Sequence, residues 1–201
     1  MKNPMIFAAC AVSALTLSAC GGSGGGGQTQ AERLLERTQD YRALLDRTSG
    51  IFRSGSNAMD NASGSASFDG GAAIAVNPET FLGELQGGDA VLIGDANVNV
   101  NFRTETVSGS VTNVFGVDNI DRLDEYSGTI RLSGGNIDGN DLSANYSGTL
   151  RGNGDTITMS GEMNGEFLGN PNIRALEIGG NGTGRLNGST SQVVIGIVAE
   201  R

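Results

Sequence analysis

The sequence predicts an all-β protein. The expected form is an eight-stranded antiparallel soluble β-barrel preceded by a signal peptide, a Gly-rich tether and one short amphipathic helix. Three observations carry this reading. From Ser65 onward apolar and polar residues alternate with period two, the signature of strands with one buried face. Glycine supplies 33 of 201 residues and proline 3, without a Gly-X-Y period, which disfavours a helical bundle and excludes collagen. Many glycines fall on the apolar face, at Gly128, Gly148, Gly161, Gly165, Gly180, Gly182 and Gly184. A narrow closed barrel needs small residues there, because its strands bend tightly and its interior has little room.

Residues 1–19 read as a lipoprotein signal peptide. Lys2 supplies the single positive charge, and residues 5–17 are apolar and small, too short a run to span a bilayer. The run ends Leu17-Ser18-Ala19-Cys20-Gly21, which resembles a bacterial lipobox. Cys20 is therefore the expected lipidation site, its thiol diacylated and its freed amine open to a further palmitate-class chain. Two or three chains anchor far more firmly than one, at about 0.8 kcal/mol per buried methylene. Cys10 leaves with the signal, so the mature chain holds no internal disulfide and no cysteine nucleophile. Residues 20–30 form the lipidated Cys and a flexible linker, Gly-Gly-Ser-Gly-Gly-Gly-Gly-Gln-Thr-Gln after Cys20. Gly21 is not the Asp associated with inner-membrane retention in enteric bacteria, so by analogy the outer membrane is the expected address, facing either the periplasm or the outside.

The segment 31–50 carries the predicted helix, which runs over 31–49. Leu34, Leu35, Tyr41, Leu44 and Leu45 share a face, with charged residues around the rest. Such a helix packs on its own domain or serves as a partner-docking stem, and barely two heptads are too few for a stable coiled coil.

The domain 51–201 supplies the strands. The first covers 65–76, and the second alternates cleanly from Asp95 to Arg103. Further runs centre on Val107 to Phe115, Tyr126 to Leu132, Leu142 to Leu150, Ile157 to Phe167, Leu176 to Leu186 and a nearly all-apolar stretch from Gln192 to Glu200. Turn signals fall at Gly134-Gly135, Asp138-Gly139, Asn153-Gly154, Asn170-Pro171 and Asn187-Gly188. The hexapeptide Tyr126-Ser-Gly-Thr-Ile-Arg131 returns as Tyr146-Ser-Gly-Thr-Leu-Arg151, which fits adjacent antiparallel strands. The outward residues are mostly Ser, Thr, Asn, Glu and Arg, the opposite of an outer-membrane barrel with its aromatic girdles.

Composition narrows function. The chain has no histidine and no tryptophan, so His-based triads, His-ligated zinc and the usual general base near neutral pH are absent. After residue 19, twelve arginines face 22 carboxylates, a net of −10, which makes nucleic acid and anionic membrane surfaces poor partners. The protein is expected to be non-catalytic.

The pattern Gly165-x-Phe167-x-Gly169-x-Pro171, then Ala175-x-Glu177-x-Gly179-Gly180, resembles the C-terminal half of the barrel in transferrin-binding protein B-like surface lipoproteins. The final Gly196-Ile-Val-Ala-Glu-Arg201 keeps that family's closing Gly and puts the Ala one place early. The resemblance covers roughly residues 65–201 and is strongest over 159–201. It implies a barrel of the C-lobe or N-lobe type on a lipid anchor. The matched residues look like barrel closure, so no partner-binding residue is carried over.

Candidate contact residues follow from the loops instead. Barrel walls of Ser, Thr and Asn make poor hot spots. The connections 77–89 and 116–125 hold larger groups, from which Phe81, Asp118, Asp121, Asp124 and Glu125 are singled out as a surface for a basic protein partner. Phe81, Leu85 and Leu123 folding back to plug the barrel is the equal alternative. Calcium at 118–125 lacks the EF-hand spacing, and the calcium-like stretch 136–141 reads as a hairpin turn at Asp138-Gly139. Glu162 and Glu166 have no partner acid for glycoside hydrolysis. Tyr126 and Tyr146, on the apolar face, are expected to pack rather than to ligate haem. No cofactor is expected, and the chain is expected to be a monomer attached to membrane through Cys20. The other functional readings are a small apolar ligand or haem held in the barrel mouth for nutrient capture, and a structural envelope lipoprotein without dedicated ligand.

Overall fold

The computed structural model describes residues 29–77, 90–118, 123–152 and 154–201. The expected signal peptide, Cys20 and most of the expected tether lie outside the described residues, as do 78–89, 119–122 and 153. The helix α1 spans Gln30–Ser49 and a short helix α2 spans Ser56–Asp60. Eight strands follow: β1 Ser65–Val76, β2 Ala90–Asn101, β3 Thr106–Asp118, β4 Leu123–Asp138, β5 Asp141–Gly152, β6 Asp155–Leu168, β7 Ala175–Leu186 and β8 Ser189–Glu200. Each pairs antiparallel with the next, and β8 returns to β1, closing the barrel. The all-β, eight-stranded expectation is met, and closure removes the free edges that would otherwise template aggregation.

The period-two pattern becomes an inside and an outside. Phe68, Ile74, Leu92, Val98, Ile130, Leu150, Ile157, Met163, Phe167, Ile178 and Ile195 are fully buried in one core. The hexapeptide repeat lands on adjacent strands and pairs with itself: Gly128 faces Leu150, Thr129 faces Thr149 and Ile130 faces Gly148. Each copy's glycine thereby sits beside the other copy's aliphatic residue, where an added β-carbon would strike the facing backbone, Thr149 O for Gly128 and Thr129 O for Gly148.

Two local expectations change. Gly134-Gly135 is no turn; β4 runs through it to Asp138, and the pairing slips between Ser133 and Asn136 as a bulge. Gly134 takes φ +60°, the left-handed conformation that lets one strand absorb an extra residue. Asp118, Asp124 and Glu125, read as loop residues, instead end β3 and open β4. The turn at Asn187-Gly188 forms as expected, both residues with positive φ, and the Asn170–Pro171 peptide is cis.

One end of the barrel is closed by a segment that periodicity did not reveal. Ala58 of α2 and Ile173 of the β6–β7 connection enter the core, and Phe102 and Phe68 flank Phe167 at 5.6 and 6.2 Å. Residues 52–54 latch onto this end. Ser54 N donates to Phe167 O at 2.9 Å, Gly169 N donates to Phe52 O at 2.8 Å, and Arg53 forms a bridge with Leu168. At the opposite end the strand ends that flank residues 78–89 and 119–122 come together, because Val76 pairs with Ala90, Ala90 with Asp118, and Val117 with Leu123.

Candidate functional site

The helix α1 opens with a complete capping box. Thr29 Oγ1 accepts from Glu32 N at 3.2 Å, and the Glu32 carboxylate accepts from Thr29 N at 2.8 Å. Those hydrogen bonds from Thr29 hold the Glu32 carboxyl below its usual range. The helix then runs along the outer wall from the loop end to the closed end. Arg33 Nη1 pairs with Glu125 at 3.5 Å where β4 begins, Arg37 pairs with Asp95 midway along β2, and Arg47 Nε meets Glu200 at 3.2 Å where β8 ends. The Glu200 contact pushes the Arg47 guanidinium up. The latch continues the series, with Arg53 pairing to Asp141 and, at 3.1 Å, to Glu166. The arginines of these pairs lie between residues 33 and 53, and their partner carboxylates lie on the barrel.

The wall beneath α1 is apolar where a barrel exterior is ordinarily polar. One register row crosses five strands as Gly196, Ala73, Ile93, Phe115 and Glu125. Phe115 is buried although it points outward, with the Arg37 guanidinium 4.9 Å and the Arg33 guanidinium 5.7 Å from its ring centre. Tyr41 lies on Gly71, whose added β-carbon would stand 2.6 Å from the ring. Val198, opposite Gly71, is buried as well. The apolar character of β8 on both faces was legible in the sequence; its meaning, that something covers the outside, was not drawn from it. A crevice of about 240 Å³ remains between helix and wall, lined by Tyr41, Leu44, Gly71, Ile93, Asp95 and Glu200 among others.

The predicted contact residues separate. Cys20, Phe81 and Asp121 lie outside the described residues. Asp118 closes β3 opposite Ala90. Asp124 and Glu125 begin β4, Asp124 Oδ1 accepting from Glu125 N at 2.9 Å. Glu125 is already engaged, by Arg33. Glu166, weighed as a catalytic carboxylate, is held by Arg53 and stands opposite Glu177. Burial first, and then the Glu166 charge, push the Glu177 carboxyl up. No group of three or more metal-ligating acids or thiols occurs among the described residues.

The lumen is filled by side chains. Tyr146 is fully buried over the paired Gly161 and Gly182, and Tyr126 is buried nearer the loop end. The Tyr146 hydroxyl has no hydrogen-bond partner, and burial pushes its ionisation up. A second crevice, of about 180 Å³, lies at the closed end, beside Phe102 and Ile173. Both crevices open on the outside of the barrel.

The architecture is a closed eight-stranded barrel with a side-chain-filled lumen and one helix laid along its exterior. Residues 61–198 match the family model described as C-lobe and N-lobe beta barrels of Tf-binding protein B, and the chain belongs to that family. No curated protein and no solved structure matches it.

Proposed function

We propose that the protein is a lipoprotein of the bacterial outer membrane, held by lipid on Cys20, whose barrel binds a protein partner through its loop end and performs no catalysis. The family match over residues 61–198, to barrels of a protein described as Tf-binding, carries the reading. The filled lumen supports it. With Tyr146, Phe68, Phe167 and Met163 fully buried inside, recognition falls to loops and wall rather than to a ligand in the mouth. Phe81, Asp118, Asp121, Asp124 and Glu125 are the residues assigned to the contact. They comprise one aromatic residue and four carboxylates, a composition that suits a basic partner and speeds its arrival.

The test is affinity capture from intact cells or host fluid with the mature protein as bait. Replacing Asp121, Asp124 and Glu125 by Ser should weaken the captured complex and flatten its salt dependence; binding that ignores both the substitutions and salt excludes this surface. Anchorage is tested separately. Cys20→Ala should abolish fatty-acid labelling and release the protein from membranes, and label retained in the variant overturns the lipid site.

A further inference from the structure

We infer that the outer strip beneath α1 is an interaction surface for a basic amphipathic helix of the partner protein, which α1 occupies in cis and yields on binding. The inference rests on the reading that the loop end takes a basic partner, and it gives that partner a shape.

The strip has the composition of a helix-binding site. Its centre is the apolar row Ala73, Ile93 and Phe115, and its borders are the carboxylates Glu125, Asp95 and Glu200. Its complement is a helix with arginines at relative positions i, i+4 and i+14 and apolar groups between them, which is what α1 presents with Arg33, Arg37, Tyr41, Leu44 and Arg47. The strip continues directly into the loop end, since Glu125 belongs both to the row under α1 and to the residues assigned to partner contact. Arg33 therefore already fills, from within the chain, a position that a basic partner would claim.

The helix is held in a way that permits exchange. Of its 20 residues only Leu44 and Thr48 are buried, and Leu35 remains 56% exposed. The pairs of Arg33, Arg37 and Arg47 join partly to largely exposed groups, with side-chain exposures of 40/52, 25/51 and 57/32%. Exposed pairs of this kind hold weakly and weaken further with salt. The latch at residues 52–54 adds to its Arg53 ion pairs backbone hydrogen bonds to β6 and the β6–β7 connection, so α1 can lift while the closed end stays shut. A helix with few buried contacts and exposed bonds belongs to the low-stability end of a fold.

The experiment uses the full mature chain and, as probe, a fluorescent peptide copying residues 29–50. By hydrogen exchange, amides of residues 38–46 should exchange faster as salt rises from about 0.1 to about 1 M, with barrel amides unchanged. In about 0.1 M salt, the doubly substituted Arg37→Glu, Arg47→Glu chain, checked for native melting, should bind the peptide about tenfold more tightly than the unsubstituted chain. Adding Phe115→Ser should remove that gain, and a peptide with Arg33, Arg37 and Arg47 changed to Glu should not bind. The proposal is overturned if residues 38–46 exchange only in step with the barrel strands, or if the loosened chain binds the peptide no better. Dimerisation of the loosened chain by exchange of α1 would overturn it in favour of self-association. Failure of the loop-end reading looks different: partner capture indifferent to Asp121, Asp124 and Glu125, with strap opening and peptide binding intact.

Discussion

Tyr146 on β5 lies across Gly182 on β7, its phenolic oxygen 2.3 Å from the point where a β-carbon on Gly182 would stand. The same β-carbon would meet the Ser160 carbonyl oxygen at 2.2 Å, and backbone cannot rotate aside as a flexible side chain can. Gly182→Val should destabilise the barrel by about 1–3 kcal/mol through overpacking. Thermal and urea melting check this, and an unchanged midpoint would place Gly182 outside the lumen.

Tyr146→Phe should have the opposite sign. The hydroxyl is buried without a partner, so removing it relieves a desolvation cost and should leave stability unchanged or raise it by up to about 1 kcal/mol. Its pH dependence is distinctive. Burial holds the phenol protonated in the folded barrel, whereas the unfolded chain ionises near pH ~10. The original chain should therefore lose stability above about pH 10 as the unfolded state gives up its proton, and the variant should lack that component. Melting at neutral pH and above about pH 10 separates the two.

Glu177→Gln addresses the other raised group. Burial and the facing Glu166 disfavour its charge, so its folded ionisation lies above that of the unfolded chain. Its favourable contribution is full at or below about pH 4 and is lost as pH rises through the folded value. At neutral pH the variant should melt higher than the original; at about pH 4 or below the difference should vanish. Equal midpoints at neutral pH would show that Arg53, already bridging Asp141 and Glu166, compensates the charge.

Truncation should distinguish strap from plug. A chain beginning at Ile51 keeps the latch and α2, and should melt cooperatively while exposing Phe115 to a dye for apolar surface. A chain beginning at Ser65 loses Ala58 from the core and the Ser54-to-Phe167 hydrogen bond, and should lose about 1–3 kcal/mol more. Equal stability of the two chains would show that the closed end holds without residues 51–64.

Period-two alternation made the strands legible because each residue of a barrel strand has one of only two environments. From Asp95 to Arg103 inside and outside can be read letter by letter, and the structure keeps that phase through Ala96, Val98 and Val100. The same logic miscounts where a strand bulges. Gly134-Gly135 carries the composition of a turn, yet Ser143 and Val107 on the neighbouring strands hold it inside β4. The short helix α2 that closes one barrel end was illegible for another reason. Ser56–Asp60 is a single turn of mixed residues with no period of its own, and Ala58 counts as core only because the barrel mouth stands over it.

By itself the sequence determined the class of fold, the number of strands and the polar exterior, since alternation, glycine spacing and turn residues are local properties that survive without knowledge of the partner strand. It also determined the amphipathic helix and the acid-rich body. Tertiary structure alone decided where the helix lies and which charges meet. Arg33 and Glu125 are 92 positions apart, Arg47 and Glu200 are 153 apart, and nothing near either arginine in the chain specifies its carboxylate. Those pairings exist because closing β8 on β1 sets β8, β1, β2, β3 and β4 side by side under one helix, and Phe115 of β3 is buried on the outside for the same reason.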